Sequence, residues 1–430
     1  MRKNTKTRVV IIGAGQAGLA MSYLLKKEKM DHVVLEKKKL GSSWRNQRWD
    51  SFHLVTPNWQ NQLPGFHYVG DRPDEFMSKN EIINYLELYQ AKYSLPIFSN
   101  KEVLKVTRNG YQSFEVQTQN KIYHARAVVV ATGSFYQPYV GEQSRDLPQT
   151  VLQLHSSKYR NARRLPPGSV LVVGSGQSGF QIASELNSSG RKVFLSVGSS
   201  YWIPRSYRGK DISYWMTQLG VTDLRKKVLG ASSEKIFFSS PIISHRGGGA
   251  KRLSLDGVTL LGRFENCIGN RLNFSDNLES SFAESGMFFV HVTRLIDRFI
   301  EKQQLKAPES TAVADELLLS LKVPKLTEVD LLKQSISTVI WATGFKPNYS
   351  WIDLPVFDQA KTPIYHRGVT QVEGFYFLGL HRLYTLKSGS LFGVGEDAAF
   401  ILKNIKSYFR VQKIIKTSNR MSCRKNSLVS

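Results

Sequence analysis

The hydrophobic pattern begins with an apolar run at residues 9–12, whose length and β-branched content are typical of a buried parallel strand. A stretch of helical character follows from Gln16 to Lys27 and carries apolar side chains such as Leu19 and Leu24. A second apolar run, at residues 32–35, ends in the acid Glu36. This order of strand, helix and strand predicts the start of an α/β domain with a parallel sheet.

The same pattern returns in the middle of the chain. Residues 169–173 form an apolar run, a helix is predicted from Gln177 to about Asn187, and another strand is predicted at residues 192–197. Further buried strands are predicted at residues 121–130, 337–341 and 374–379. The chain is therefore predicted to be an α/β protein with two strand–helix–strand units.

Other elements follow from local signals. A helix is predicted at residues 80–93, with Ser78 as its N-cap and Glu81 completing a capping box. A glycine-rich turn at residues 388–395 is predicted to open a helix at residues 396–403. Residues 209–285 show only short helical or strand-like pieces.

The first turn between strand and helix has the spacing G-x-G-x-x-G, with Gly13, Gly15 and Gly18. In such a turn the first glycine permits the tight bend, the second lets a pyrophosphate approach the backbone, and the third allows helix and strand to pack closely. The helix N-terminus offers free N–H groups to the phosphates. Glu36 stands where a carboxylate can accept both hydroxyls of an adenosine ribose, so this unit is predicted to bind a dinucleotide.

A second glycine turn of the same spacing contains Gly174, Gly176 and Gly179. Glu36 lies 23 residues after Gly13, and the residues about 22 to 23 positions after Gly174 are Ser196 and Val197, neither of which is an acid. Serine and arginine residues follow shortly afterwards, at Ser199, Ser200, Arg205 and Arg208. Because a 2′-phosphate is then accommodated rather than repelled, the second site is predicted to prefer NADPH to NADH.

Composition narrows the class of protein. The chain has 430 residues, of which 41% are apolar and 22% charged, and no run approaches the length of about 20 apolar residues that crosses a bilayer. Its two cysteines, Cys267 and Cys423, lie far apart, which suits a reducing cytoplasm and gives no closely spaced redox pair. A flavin disulfide reductase, which needs such a pair, is therefore not expected, and a cytoplasmic location is.

The formal charge of +25 and the isoelectric point near 9.9 are compatible with anionic cofactors, an anionic membrane surface or nucleic acid. No nucleic-acid module is recognisable, and specific nucleic-acid binding is not expected. After Asp397 the chain has basic but no acidic residues, which favours a solvated basic face and a frayed tail. A helix at residues 399–409 has an apolar side that favours a core contact, while a weak membrane-surface contact stays open as the alternative.

Several motifs together resemble the flavin-containing monooxygenases with two dinucleotide-binding domains, and most closely the bacterial proteins labelled as potassium-transport flavoproteins. The resemblance covers nearly the whole chain. It rests on the motifs VVIIGAGQAGLA, GSSWRNQRWDSFHLVTP, VVVATGSF, QLHSSKY, VLVVGSGQSG, VIWATGF and GLHRLYTLKSGSLFGVGEDAA. The two Ala-Thr-Gly corners, at residues 131–133 and 342–344, are typical of that family.

The resemblance implies that FAD binds the first glycine turn and NADPH the second, with two Rossmann-like domains, the NADPH domain being inserted in the FAD domain. The implied division is residues 1–150 and 336–410 for FAD, 151–335 for NADPH with an insertion at 209–285, and 411–430 as a basic tail. Cofactor contacts are implied for turn, corner and loop residues: Gly13, Gly15, Gln16, Ala17, Gly18, Glu36, Lys37, Ser43, Trp44, Val103, Ala131, Thr132, Gly133, Gly174, Gly176, Gln177, Ser178, Gly179, Ser200, Arg205, Ala342, Thr343, Gly344 and Gly393.

The implied activity is NADPH-dependent insertion of one oxygen atom from O2 into a small organic substrate, by N- or S-oxygenation or by Baeyer–Villiger chemistry. The segment 40–64, rich in Trp, Asn and Gln, is a candidate ligand-lining loop, and its alternative is a surface loop with aromatic plugs in the core. Within it, Trp49, Thr56 and Asn58 are candidates for the pocket beside the flavin. No metal-ligand cluster is evident, and a homodimer is neither required nor excluded.

One departure from the family pattern F-x-G-x-x-x-H-x-x-x-Y/F/W keeps other functions open. His155 and Tyr159 match its second half, whereas Gln149 and Val151 stand where Phe and Gly belong. An NADPH-dependent flavin oxidase or reductase without oxygenation, and a non-enzymatic FAD/NADPH sensor, are the alternatives. His155 itself is equally compatible with a purely structural role between the domains.

Overall fold

The structure is a computed structural model that describes residues 3–110, 113–198, 203, 205–225, 249–309 and 325–426. In chain order the strands are β1 (Lys3–Ile12), β2 (His32–Leu35), β3 (Ile97–Phe98), β4 (Val103–Asn109), β5 (Ser113–Thr118), β6 (Lys121–Val130), β7 (Gln137–Pro138), β8 (Leu152–His155), β9 (Ser169–Val173), β10 (Val193–Ser196), β11 (Ser206–Tyr207), β12 (Lys210–Asp211), β13 (Thr259–Leu261), β14 (Phe264–Ile268), β15 (Arg271–Phe274), β16 (Glu328–Asp330), β17 (Ile336–Trp341), β18 (Phe345–Lys346) and β19 (Phe375–Phe377). The α-helices are α1 (Gln16–Lys27), α2 (Ser42–Asn46), α3 (Lys79–Tyr93), α4 (Gln177–Ser188), α5 (Ile212–Gln218), α6 (Gly249–Leu255), α7 (Leu278–Lys302) and α8 (Val394–Asn426).

The first sheet has the strand order β3-β2-β1-β6-β5-β4, and β19 also pairs with β6. Strand β1 runs parallel to β2 and β6, which brings Ile12 level with Leu35 on one side and Val130 on the other. The apolar ends of β1 and β6 are buried on both faces, which explains why their apolar residues are continuous rather than alternating. Helices α1 and α8 pack against each other on this sheet.

The second sheet has the order β13-β10-β9-β17-β8, with every pair parallel. Val173 of the central strand β9 is level with Ser196 of β10 and with Trp341 of β17. All five residues of β9 are buried, because the strand has neighbours on both sides, a helix on one face and the small sheet of β14, β15 and β16 on the other. The first and second sheets are the centres of what we call the first and second domains.

The second domain is inserted in the first. The chain leaves the first sheet after β6, builds the second sheet, and returns to pair β19 with β6. At the crossing, β7 and β18 form a short antiparallel ribbon, with Phe345 opposite Pro138. The predicted α/β class with two Rossmann-like units, one inserted in the other, is confirmed.

Three predicted boundaries are wrong, because strand pairing and helix length decide them. Strand β17 belongs to the second sheet, so the return to the first domain does not begin at residue 336. The segment 209–285 is not a separate insertion, since β13 is the edge strand of the second sheet. Residues 411–426 do not form a separate tail, because α8 continues through them.

Helix α8 buries Ile401, Ile405 and Phe409, so the predicted core contact of this helix is confirmed. Its Lys406 also forms an ion pair with Glu28 at the end of α1, with 2.7 Å between Nζ and Oε2. In the part of the chain that the structure describes, no helix combines the length and the apolarity needed to cross a bilayer.

Candidate functional site

The first glycine turn joins β1 to α1. Gly13 has a φ of +103°, and a Cβ there would lie 2.6 Å from the carbonyl oxygen of Ala131. A Cβ on Gly18 would lie 1.9 Å from the carbonyl oxygen of Gly13. At Gly15, however, a Cβ would meet no described atom within 4 Å. Gly13 and Gly18 are thus required by the packing of the chain itself, whereas the space beside Gly15 is open at the helix N-terminus, where such turns receive a phosphate.

The Glu36 carboxylate is held against this turn. Its Oε2 accepts a hydrogen bond from the Ala14 amide at 2.9 Å, and its Oε1 accepts one from the Lys38 amide at 3.0 Å. Two backbone donors therefore fix the orientation of the carboxylate while leaving it lone pairs for further donors.

The second glycine turn, between β9 and α4, repeats this geometry. Gly174 has a φ of +110° and a Cβ there would lie 2.7 Å from the carbonyl oxygen of Ala342. A Cβ on Gly179 would lie 1.8 Å from the Gly174 carbonyl oxygen, and one on Gly176 would meet no atom of the described chain within 4 Å. The residue after β10, which corresponds to Glu36 after β2, is the fully buried Val197.

The two Ala-Thr-Gly corners lie beside their respective glycine turns. The Ala131 amide donates to the Ile12 carbonyl at 2.8 Å, and the Ala342 amide donates to the Val173 carbonyl at 2.8 Å. Each corner thus extends the strand next to the turn. Thr132 and Gly133 follow in the first corner, and Thr343 and Gly344 follow in the second.

His155 holds the second corner in place. Its Nδ1 accepts a hydrogen bond from the Ser157 amide at 3.2 Å, so the proton is on Nε2, which donates to the Gly344 carbonyl at 2.8 Å. Burial lowers the pKa of His155, and Arg48 lowers it further. With both ring nitrogens bonded within the chain and the ring kept neutral, the structural interpretation of His155 is the one that these contacts support.

The segment 40–64 lies between the domains, but two of its candidate pocket residues are already engaged. Trp49 is only 2% exposed and packs edge-on against Phe52 at 5.1 Å between ring centroids. The Trp49 ring belongs to the hydrophobic core, and its place beside the flavin stays a prediction. Thr56 donates from Oγ1 to the Asn61 side-chain oxygen at 2.6 Å, which fixes the loop.

Asn58 differs from these two residues. It is 3% exposed, and its Nδ2 donates to the Arg72 carbonyl at 2.9 Å. Its Oδ1 is buried and has no hydrogen-bond partner among the described residues. Because a buried acceptor without a donor is costly, Asn58 Oδ1 is suited to receive a donor from a bound molecule.

Arg205 is not available as predicted. Its Nε donates to Asp211 Oδ2 at 2.8 Å and its Nη1 donates to the Val55 carbonyl at 2.7 Å. The guanidinium also lies 4.5 Å from the ring centre of Phe76. Burial lowers the pKa of Arg205, against the opposing effect of Asp211. Since its charge is already compensated and ties the domains together, the assignment of Arg205 to a 2′-phosphate does not hold; Ser200 lies outside the described residues.

The start of α8 closes the first turn from the other side. Gln16 at the start of α1 donates from Nε2 to the Gly389 carbonyl at 2.8 Å. Gly393 comes directly before α8, where a Cβ would lie 2.1 Å from the Lys387 carbonyl oxygen. Two helix N-termini therefore face the same region, as the glycine-rich turn predicted.

The other predicted cofactor contacts are spread around the two turns. Lys37 forms an ion pair with Glu102 at 2.6 Å, which raises the pKa of the lysine. Trp44 is half-buried and packs 5.8 Å from Phe52. The remaining members stand at a helix start or at a strand start: Ala17, Ser43, Val103, Gln177 and Ser178.

Sequence reasoning missed Arg48. Its side chain is 8% exposed, and its guanidinium lies 5.3, 5.5 and 4.9 Å from the ring centres of Trp44, Phe52 and Phe135. No carboxylate of the described residues lies within 4 Å of it, and burial lowers the pKa of Arg48 to about 10. The one sequence signal for it is an arginine inside a run of tryptophans.

The aromatic residues around Arg48 connect the two corners. Phe135 follows the first corner and meets Phe345, which follows the second corner, edge-on at 5.2 Å. Phe345 also meets the ring of His155 at 4.9 Å. A buried cation with no anionic partner is costly, so Arg48 stands where an anionic group of a ligand would be stabilised.

Other chemistry is not supported near the site. Cys267 is buried in β14, away from both turns, and burial raises the pKa of its thiol. Across the described ranges, no group of three or more His, Cys, Asp or Glu side chains is arranged to hold a metal ion.

Residues 10–242 match the family model described as pyridine nucleotide-disulphide oxidoreductase. An uncharacterized CzcO-like oxidoreductase from Geobacillus kaustophilus is 36% identical over 93% of this chain and 98% of its own length. The probable indole-3-pyruvate monooxygenase YUCCA3 of Arabidopsis thaliana is 30% identical over 54% of this chain and 55% of its own. Among solved structures, the flavin-containing monooxygenase from Stenotrophomonas maltophilia has the same fold, with a TM-score of 0.64, 20% identity, and coverage of 94% of this chain and 99% of that one.

Proposed function

This chain belongs to the pyridine nucleotide-disulphide oxidoreductase family, where CzcO-like oxidoreductases match it along nearly its whole length, and from that premise we propose that it is an NADPH-dependent flavoprotein monooxygenase. It is an FAD-dependent oxidoreductase of the kind that uses a pyridine nucleotide. The observation that carries the proposal is that a Cβ on Gly15 or on Gly176 would meet no described atom within 4 Å, and that only the first turn has an acid at the position expected to bind the ribose.

FAD fits the first turn. Gly15 leaves the space for its pyrophosphate, and the fixed Glu36 carboxylate can accept hydrogen bonds from its adenosine ribose. The bond from Gln16 to the Gly389 carbonyl holds α1 and the turn before α8 together around the same space. We therefore assign Gly15, Glu36 and Gln16 to FAD binding.

NADPH fits the second turn for a different reason. Gly176 leaves the phosphate space, and Val197 carries no charge that would repel a 2′-phosphate. With Arg205 paired to Asp211, a different cation is needed, and we propose Arg263. Its amide donates to Asn277 Oδ1 at 2.8 Å, and Asn277 Nδ2 donates to the Val197 carbonyl at 3.2 Å, so Arg263 stands next to the ribose end. No acid of the described chain lies within 4 Å of its guanidinium.

The protein contributes binding and orientation. When bound, FAD supplies hydride acceptance and the activation of O2. Asn58 Oδ1 accepts a hydrogen bond from a donor in the bound molecules and so fixes their orientation. Arg48 holds a positive charge beside the corners, which stabilises negative charge there in a poorly hydrated site. The rings of Phe135 and Phe345 meet edge-on beside the same region and cover part of it.

The disulfide chemistry in the family's name does not suit this chain, since its two cysteines are far apart and Cys267 is buried in another sheet. Oxygenation therefore competes mainly with a simple oxidase function. That second candidate is favoured by Gln149 and Val151, which replace the Phe and Gly of the monooxygenase motif.

Substrates to be tried are amines, sulfides and ketones. Because a plant relative is a probable indole-3-pyruvate monooxygenase, 2-oxo acids with an aromatic ring should be tried as well.

The test follows the absorbance of the purified protein under anaerobic conditions, first with NADPH or NADH and then with air. We expect the flavin to bleach faster with NADPH. With 18O2, a substrate that is used should gain one labelled oxygen atom, and hydrogen peroxide release per NADPH should fall. Peroxide equal to the NADPH consumed with every substrate class would assign the oxidase function instead, and a flavin that does not bleach would leave the sensor.

A further inference from the structure

The end of α8 presents a surface that the proposed oxidoreductase function does not use. Gln412 is the last buried residue of this helix that is described, and its Oε1 accepts a hydrogen bond from Arg126 at 2.9 Å. The helix continues to Asn426, which is about 20 Å further at 1.5 Å per residue. Of the next residues, Lys413, Ile414 and Ile415 are exposed.

Three aliphatic side chains near this point form one exposed stripe. Val411, Ile414 and Ile415 are 51%, 60% and 46% exposed. The spacing i, i+3, i+4 places them on one side of the helix. The buried side chains of Ile401 and Ile405 lie on a different side, which faces the first domain. The stripe therefore has no partner among the described residues.

The charged residues of the helix around this stripe are basic, and one of them, Lys406, is paired with Glu28. After Asp397 the sequence contains no acidic residue. The basic residues that follow are Lys403, Lys406, Arg410, Lys413, Lys416, Arg420, Arg424 and Lys425. The whole chain carries a formal charge of +25, so this end of the molecule is attracted to anionic surfaces.

We propose that the exposed part of α8 binds the surface of an anionic lipid bilayer, with Val411, Ile414 and Ile415 entering the headgroup region and Arg410 and Lys413 contacting lipid phosphates. An interfacial helix needs both an apolar stripe and basic neighbours, and both are present here. A nucleic acid would be attracted by the charge but offers nothing to three aliphatic side chains. A second copy of this helix would be repelled, because it carries the same charge.

The test is co-sedimentation of the full-length holoprotein with vesicles. Vesicles of phosphatidylcholine with phosphatidylglycerol should bind the protein, whereas phosphatidylcholine alone should bind it weakly. Because exposed charges are screened by salt, binding to the anionic vesicles should fall as the salt concentration rises. Equal binding to both kinds of vesicle, or to neither, would overturn the proposal.

Two variants separate the apolar and the basic contributions. The triple change Val411→Gln, Ile414→Gln, Ile415→Gln keeps the charge and should weaken binding at least about tenfold. The double change Arg410→Gln, Lys413→Gln should weaken it roughly tenfold to thirtyfold, from the usual contribution of a basic residue near a lipid surface.

Matched controls change the same number of exposed aliphatic or basic side chains elsewhere on the surface. For the triple variant the control is Val69→Gln, Met287→Gln, Leu332→Gln, whose side chains are 96%, 67% and 70% exposed. For the double variant it is Lys302→Gln, Lys333→Gln, at two exposed lysines. Both controls should bind vesicles like the unchanged protein, and all variants should oxidise NADPH at the same rate.

Other partners would appear in the same experiments. Duplex DNA is added as a competitor of the vesicles. If DNA displaces the vesicles, and the triple variant binds both DNA and vesicles as well as the unchanged protein does, the surface is a nucleic-acid site and the lipid proposal fails. If the unchanged protein sediments as a dimer that the triple variant dissolves, without vesicle binding, the stripe is an interface between two copies. Neither result would affect the assignment of FAD and NADPH, which depends on the glycine turns.

Discussion

The two glycine turns of this protein are almost the same in their steric demands and differ at one residue beyond them. A Cβ would clash at 2.6 Å on Gly13 and 2.7 Å on Gly174, and at 1.9 Å on Gly18 and 1.8 Å on Gly179, while Gly15 and Gly176 are both open. After the next strand, one domain has Glu36 and the other has the buried Val197.

This difference separates two tasks within one fold. The turn forms a phosphate site whatever nucleotide is bound, because its geometry depends only on the strand, the helix and the corner beside them. We propose that the residue after the second strand selects the nucleotide, since in such folds an acid at this position hydrogen-bonds the ribose. The two turns are also held by different hydrogen bonds. In the first domain Gln16 donates to the Gly389 carbonyl before α8, and in the second domain His155 donates to the Gly344 carbonyl of the corner.

The largest effect is expected from filling the open space in each turn. Gly15→Ala should yield protein without flavin, and Gly176→Ala should keep the flavin but slow its reduction by NADPH on the order of 100-fold, equivalent to the loss of one or two charge-assisted hydrogen bonds. Flavin content and anaerobic reduction rates measure these effects.

The control for this comparison is Gly179→Ala, whose Cβ would lie 1.8 Å from a backbone oxygen. It should lower the melting temperature of the protein, whereas Gly15→Ala and Gly176→Ala should leave the melting temperature of the cofactor-free protein nearly unchanged. Normal NADPH kinetics in Gly176→Ala would contradict the equivalence of the two turns.

Exchanging the selective residue should make the second domain resemble the first. Val197→Glu puts a carboxylate at the buried position that corresponds to Glu36, so we expect kcat/KM for NADPH to fall roughly 10- to 100-fold through repulsion of the 2′-phosphate. Val197→Gln, which has a similar size but no charge, is the control for burial of a polar side chain. If the two variants lose NADPH activity equally, charge at this position does not select the nucleotide.

Removing the buried cation between the corners should weaken the binding of FAD but should not lower the stability of the cofactor-free protein. Arg48→Met should weaken FAD binding about 10- to 30-fold, yet the cofactor-free protein should melt at the same or a higher temperature, because an uncompensated buried charge is lost. Fluorescence titration and thermal melting measure the two effects, and Arg48→Lys should bind FAD with intermediate affinity. A cofactor-free Arg48→Met protein that melts lower would show that Arg48 serves packing alone.

A smaller effect is expected at the proposed cation of the second domain. Arg263→Gln should raise KM for NADPH about fivefold, as for the loss of one exposed ion pair, and leave KM for NADH unchanged. Arg271→Gln, an exposed arginine on a different sheet, is the matched control. Arg205→Ala should raise both KM values alike, since Arg205 pairs with Asp211 and ties the domains. A rise specific to NADPH in Arg205→Ala would return the 2′-phosphate to that residue.

The smallest effect concerns pH and distinguishes the two corners. Burial lowers the pKa of His155 below the ordinary value of 6.5, so at falling pH the unfolded chain takes up its proton before the folded one does. The contribution of His155 to stability is therefore complete above pH 6.5 and declines below it. His155→Asn should make the melting temperature fall less steeply between about pH 7 and pH 5.

Equal slopes for His155→Asn and the unchanged protein would mean that the second corner does not depend on a neutral His155.

Features that depend on neighbouring residues could be predicted from the sequence. Helix α1 has the predicted bounds, Gln16–Lys27. The capping box of α3 is present, with the Glu81 amide donating to Ser78 Oγ at 3.3 Å and the Ser78 amide donating to Glu81 Oε2 at 2.7 Å. The spacing of the glycines likewise determines the turns, since the clashes that require them involve the adjoining strand and corner.

Features that depend on distant pairing could not be predicted in the same way. The run at residues 336–341 has the composition of any buried parallel strand, and only its hydrogen bonds to β8 and β9 assign it to the second sheet. Trp49 and Arg205 have side chains that suit a ligand pocket, but tertiary packing places one in the core and pairs the other with Asp211. The sequence also does not reveal that Arg48 is buried without an acid, because Phe135, which packs on its guanidinium, is distant along the chain.

The insertion of one domain in the other has a consequence for biosynthesis. The five strands of the second sheet are complete once the ribosome has added Trp341, whereas the first sheet still lacks β19 and the helix that covers α1. At about 5–20 residues per second, reaching Gln412 takes roughly 4 to 14 s more. For the first part of that time, until β19 has been added, the edge of β6 that pairs with β19 is exposed in the nascent chain. The domain whose synthesis starts first is therefore the last to be completed, and it depends longest on protection by chaperones.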